Sequence, residues 1–127
     1  MEVARAIIAA GNAGDIEGYM ELVHPDVEMT LPRNLLEGGV YRGRDGLRRA
    51  FDDIAESWEV VRLAVDRIED TDDCVVVLGR GFLTGRQGGP SVDYELAILM
   101  RFREGQMIES RPFLDHSEAL KAVGLEP

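Results

Sequence analysis

Residues 91–102 read Ser91-Val92-Asp93-Tyr94-Glu95-Leu96-Ala97-Ile98-Leu99-Met100-Arg101-Phe102. On an extended chain Val92, Tyr94, Leu96, Ile98, Met100 and Phe102 share one face, and Asp93, Glu95 and Arg101 take the other. That alternation predicts a half-buried antiparallel strand with its even-numbered side chains turned inward. The same period of two runs from residue 60 onward and predicts strands over about 60–69, 74–84, 91–102 and 106–114. Asp70-Thr71-Asp72-Asp73, the Gly85–Pro90 segment and Glu104-Gly105 separate them. Connections this short suit hairpins and leave no room for crossover helices.

Before residue 60 the period is that of helices. Val3, Ile7, Ile8 and Gly11 predict a helix over about residues 2–13. Gly14 breaks it, and Asp15 is placed to cap a second helix whose stripe is Ile16, Tyr19, Met20 and Val23. That stripe is expected to stop at His24-Pro25, since a residue before proline avoids helical geometry. Val27, Met29 and Leu31 form a short strand ended by Pro32, followed by a loop with Gly38 and Gly39. Asp45 is the expected cap of a third helix with Leu47, Ala50, Phe51, Ile54 and Trp58 on its buried face. Asp115 and Glu118 have capping-box spacing before a last helix closed by Gly124. Helices early and strands late give an α+β class. The expectation is one domain over residues 1–127, a curved, mostly antiparallel sheet wrapped around N-terminal helices, with Gly79 and Gly81 permitting the bend.

Composition narrows the partners. The 127 residues are 45% apolar and carry a formal net charge of -10, from 24 acids against 14 bases. With no basic stripe, such a surface repels nucleic acid and anionic membranes. Cys74 is the single cysteine, so no internal disulfide and no thiolate metal site is expected. The first residues do not read as a signal peptide and nowhere do eighteen apolar residues run together, so a cytoplasmic location is expected.

Five stretches in order carry a family resemblance: Gly14-Asp15-Ile16-Glu17, His24-Pro25-Asp26-Val27, Tyr41-Arg42-Gly43-Arg44-Asp45-Gly46, the 100–108 segment Met-Arg-Phe-Arg-Glu-Gly-Gln-Met-Ile, and the 113–120 segment Phe-Leu-Asp-His-Ser-Glu-Ala-Leu. Through them the whole chain resembles the SnoaL-like branch of the nuclear-transport-factor-two-like superfamily, which also holds ketosteroid isomerases and limonene epoxide hydrolases. The resemblance implies a cone-shaped α+β barrel, a homodimer and an internal pocket. It also implies which catalytic groups are missing. The isomerase tyrosine falls at Ile7 and its two aspartates at Leu31 and Ile98, none of which transfers a proton. Of the hydrolase set only the arginine survives, at Arg80; its aspartates fall at Phe82 and Pro112, its water holders at Met29 and Leu31.

Ligand contacts are therefore expected from Tyr19, Met29, Leu31, Ile54, Trp58, Arg80, Phe82, Leu96, Ile98, Pro112 and Leu114. Arg80 has two readings. Counted with Cys74, Val76, Leu78 and Phe82 it shares an apolar face, where a guanidinium needs an anion. Alternatively it reaches the rim or pairs with Asp93 or Glu95. Trp58 reads as pocket floor or plain core, and the Tyr19 hydroxyl as facing pocket or solvent. His24 reads as a cap or a solvent-exposed residue rather than a catalyst, and Asp115 caps a helix rather than acting with His116. No metal and no cofactor is expected. Val75, Val77 and Leu83, counted as outward, with Arg111 and Phe113, predict a homodimer through the back of the sheet.

Three functions remain open. The first is a pocket protein holding a small apolar molecule, with or without a negative charge. The second is a SnoaL-like cyclase or isomerase acting on a polyketide-like or other carbonyl substrate, with Asp115, His24, Glu28, Glu95 or a tyrosine as the acid–base group. The third is a structural dimerisation domain. Whether the chain is an enzyme at all is not written in these residues, and no catalytic residue is assigned.

Overall fold

The computed structural model describes residues 2–32, 39–72 and 74–125. Helix α1 (Glu2–Ala13) buries Ala4 and Ile7 and ends where Gly14 turns at φ +71°. Asp15 then accepts the Gly18 N–H at 3.0 Å and starts α2 (Ile16–Glu21). Contrary to the sequence reading, α2 stops before Val23. The residues from there on form β1 (Val23–Leu31), which includes His24 and Pro25. The ladder between β1 and its parallel neighbour is irregular between Val23 and Glu28, so the missing proline N–H falls where pairing is broken anyway.

A short strand, β2 (Gly39–Arg42), was not expected; Gly38, read with Gly39 as loop, lies outside the described residues. Helix α3 (Gly43–Ser57) has Arg42 at its N-cap with no side-chain capping bond. Asp45 therefore sits inside the first turn rather than capping it, where its charge still suits the helix dipole. Trp58 is not the last residue of this helix but the first of β3 (Trp58–Asp70). Strands β4 (Val75–Gly85), β5 (Ser91–Arg103) and β6 (Gln106–Phe113) follow, and α4 (His116–Ala122) starts on Asp115, whose carboxylate accepts from the Ser117 and Glu118 amides.

The six strands lie in the order β2-β1-β6-β5-β4-β3. β3 to β6 form an antiparallel meander, and β1 joins β6 in parallel. The curved sheet lays one face on α1, α2 and α3, and this side holds the larger core, including Ile7, Val27, Leu47, Val77 and Met107. On the other face α4 presses Ala119 and Leu120 onto Val76, Leu78 and Ala97.

That second core overturns the sequence parity of β4. Val77 pairs with Ile98, Gly79 with Leu96 and Gly81 with Tyr94. Partners across an antiparallel ladder share a face, so Val75, Val77, Gly79, Gly81 and Leu83 face the helices while Val76, Leu78, Arg80 and Phe82 face away. Val75, Val77 and Leu83 are core residues, not the outward patch the sequence suggested. The cause is plain: residues 74–78 are buried on both faces, so hydrophobicity does not alternate along them.

Candidate functional site

Between the helices and the sheet lies a cavity of about 470 Å³, within the ordinary range for small-molecule sites. Ile7 and Ile8 of α1 and Phe51 and Ile54 of α3 line one side. Met29 and Leu31 of β1, Leu96, Ile98 and Met100 of β5, and Pro112 of β6 line the other. Trp58, Val61 and Leu63 of β3 close the flank. The walls are mostly hydrocarbon.

Of the eleven residues expected at a site, eight come together here: Tyr19, Met29, Leu31, Ile54, Trp58, Leu96, Ile98 and Pro112. Three do not. Arg80 and Phe82 lie on the far face because β4 has the opposite parity, and Leu114 is 49% exposed in the link to α4. Arg80 instead donates from Nη2 to Asp93 Oδ1, with side chains 48% and 55% exposed. This is the second of its two sequence readings. An ion pair so exposed contributes little stability.

Tyr19 is the polar anchor of the cavity. Its residue is 7% exposed, and its ring meets Phe51 edge-on at 5.0 Å and 82°. Gly11 of α1 borders the ring: a Cβ there would stand 3.7 Å from it, in ordinary van der Waals contact. Burial pushes the phenol well above its ordinary value, so it stays protonated. Among the described residues nothing hydrogen-bonds its hydroxyl.

Sequence reasoning missed two contributors, Ser110 and Asn12, and turned a third, Tyr94, inward without counting it as a ligand contact. Ser110, 6% exposed, points inward from β6 between its ladder partners Met29 and Met100. Its parity with Pro112 was legible, and only its polarity kept it out of an apolar list. Tyr94 lies across the bare inner face of Gly81. Asn12, at the end of α1, lines the mouth and hydrogen-bonds Leu63.

The acid–base candidates are engaged elsewhere. Asp115 caps α4, His24 Nδ1 accepts from the Asp26 amide at 3.0 Å, and Glu28 holds Arg42 at 3.1 Å. Glu95 accepts from the His116 amide at 2.7 Å. The His116 Nε2 lies 2.9 Å from Gly79 O and 3.1 Å from Leu96 O, a position that favours a proton on that nitrogen. None of these five lines the cavity. Among the described residues the ionisable side chains of its lining are Tyr19, Tyr94 and Glu59; Arg62 also borders it, but its side chain shares the far face with its ladder partner Phe82. Among the described residues no group of three or more His, Cys, Asp or Glu could hold a metal ion, and no helix is long and apolar enough to cross a membrane.

Comparison with known proteins agrees with this architecture. The SnoaL-like domain matches residues 4–110. An NTF2-like protein of unknown function from Burkholderia pseudomallei superposes with a TM-score of 0.81 at 24% identity, over 98% of this chain and 96% of that one. An NTF2-like protein from Burkholderia thailandensis gives 0.79 at 26%, over 99% and 96%. TerC, co-crystallised with polyporic acid, gives 0.80 at 24%, over 94% of each chain. No curated protein matches the chain.

Proposed function

This chain belongs to the SnoaL-like domain family, and from that premise we propose that it holds a small, largely apolar, uncharged molecule bearing a hydroxyl or carbonyl group. One observation carries the reading: a nine-tenths buried phenol, Tyr19, stands without a protein partner in an otherwise hydrocarbon cavity. Once a ligand fills the cavity and excludes water, leaving such a group unbonded costs about 1–3 kcal/mol, which a ligand oxygen would offset. The anionic ligand that the sequence allowed rested on Arg80, and with Arg80 on the opposite face an uncharged one fits better. Isothermal titration with 2-naphthol and 2-naphthoate tests this. The naphthol is expected to bind more tightly than the naphthoate, and Tyr19→Phe to weaken it about three- to tenfold. No heat from wild type with the naphthol, or tighter binding of the naphthoate, rejects the reading.

A second reading, cyclase or isomerase chemistry on a carbonyl compound, is favoured by the same phenol, which could donate to a developing oxyanion. It also needs a base. Glu59, at the cavity mouth, is the one carboxylate in the described lining. Turnover of a carbonyl substrate that Glu59→Gln abolishes would support it; recovery of every carbonyl probe unchanged would leave binding alone. The cavity volume argues against a purely structural domain, which has no use for an apolar cleft of about 470 Å³.

We also propose that two copies pair through the back of the sheet. The ground is no longer Val75, Val77 and Leu83 but Phe82, 36% exposed between its ladder partners Arg62 and Asp93. An aromatic ring flanked by a cation and an anion can meet itself across a two-fold axis, each charge facing its opposite.

A further inference from the structure

We infer that the cavity selects molecules with two separated hydrogen-bonding groups, and that Ser110 is the specificity-determining residue for the second. The inference rests on the ligand reading of the same cavity and deepens it. Ser110 and Tyr19 sit on opposite walls. Tyr19 comes from α2 and is held under α3 by Phe51; Ser110 comes from β6 on the floor of the sheet. Both residues are more than nine-tenths buried, both line the cavity, and among the described residues neither hydroxyl has a hydrogen-bond partner.

The surroundings of Ser110 explain why its hydroxyl is left over. The residue pairs with Met29 on one side and Met100 on the other, so its strand lies inside two ladders whose backbone groups serve each other. The side chains on those partners are thioethers, weak acceptors that donate nothing. Alanine would pack at this position without stranding a polar group. A wholly apolar ligand would leave both hydroxyls desolvated and unmade, and a ligand with one polar end would leave one. A rigid aromatic or alicyclic molecule with two hydroxyl or carbonyl groups would satisfy both, while Leu96 and Ile98 cover its hydrocarbon middle.

Titration calorimetry on the full chain tests this with 2-naphthol and with 1,5-, 2,6- and 2,7-dihydroxynaphthalene. In wild type at least one diol is expected to bind roughly tenfold more tightly than 2-naphthol, the effect of about one good hydrogen bond. In Ser110→Ala the ratio of that diol to 2-naphthol should fall to about one. Ser110→Cys, which keeps the volume and weakens the donor, should lose most of the ratio as well and serves as the second variant. A diol preference that survives both substitutions overturns the inference, as does 2-naphthol binding with no diol preferred; either leaves the pocket reading standing. Failure of all four compounds to bind wild type overturns both.

Discussion

Asn12 pairs with Leu63 as a neighbouring strand would: its Nδ2 donates to Leu63 O and its Oδ1 accepts from Leu63 N, both at 2.9 Å. Leu63 lies on β3, the last strand of the sheet, so the side-chain amide satisfies a peptide group on an otherwise open edge. The bond ties the end of α1 to the sheet at the cavity mouth. Asn12→Ala should lower stability by about 1–2 kcal/mol, the net worth of two hydrogen bonds, read from urea unfolding. The Leu63 amide should also exchange with solvent faster than its β3 neighbours. Unchanged protection at Leu63 would show that the pairing is not maintained in solution.

Gly79 and Gly81 look alike in sequence and should respond differently to alanine. A Cβ on Gly79 would stand 2.0 Å from the Ala64 carbonyl oxygen, a backbone atom at the β3 irregularity. A Cβ on Gly81 would stand 2.5 Å from Tyr94 Cζ, the far end of a side chain that can swing. Gly79→Ala is therefore expected to cost about 3 kcal/mol or more by forcing two strands apart. Gly81→Ala should cost about 1 kcal/mol while pushing the Tyr94 ring into the cavity, so that 2-naphthol affinity falls although the fold persists. Thermal melts and titrations of both variants check the contrast; equal losses of stability would reject it.

How much of this was legible depends on whether each residue has one wet side. β5 does, and its alternation placed Tyr94, Leu96, Ile98 and Met100 on the helix side. β4 does not: α4 roofs Val76 and Leu78 while α1 and its neighbours cover Val75 and Val77. Its apolar run therefore carries no parity, and Arg80 was counted onto the wrong face by one residue. The pairing of Asn12 with Leu63 spans 51 positions and leaves no local trace. β2 was hidden by its length, four residues at a sheet edge. The caps at Asp15 and Asp115 were readable because they are local devices.

Phe82 offers a test of self-association. If two sheets meet back to back across it, light scattering at micromolar concentration should report twice the chain mass of 14.1 kDa. Phe82→Asp would bring a carboxylate beside Asp93 on this face and should return the mass to that of one chain, with little change in unfolding free energy measured at low concentration. A wild-type mass near that of a single chain would dispose of the proposal.

Tyr19 should leave a signature in alkali. Its folded-state value is raised above the ordinary phenol value of 10.0, and burial is the cause. The unfolded chain, with its phenol in water, releases the proton first as pH climbs past about 10. Because the folded form holds its proton longer, the group's stabilising contribution is fully present below that pH and is lost as pH rises from there toward the folded value. Between pH 7 and 9 the residue should have no effect on the slope of stability against pH. Above pH 10 it should contribute a decline approaching about 1.4 kcal/mol per pH unit. Tyr19→Phe removes that decline, so the wild-type urea midpoint should fall relative to that of the variant between pH 10 and 11.5, compared with their separation at pH 8. Curves that stay parallel would mean the Tyr19 hydroxyl reaches water, and the cavity would lose the buried donor on which its ligand reading depends.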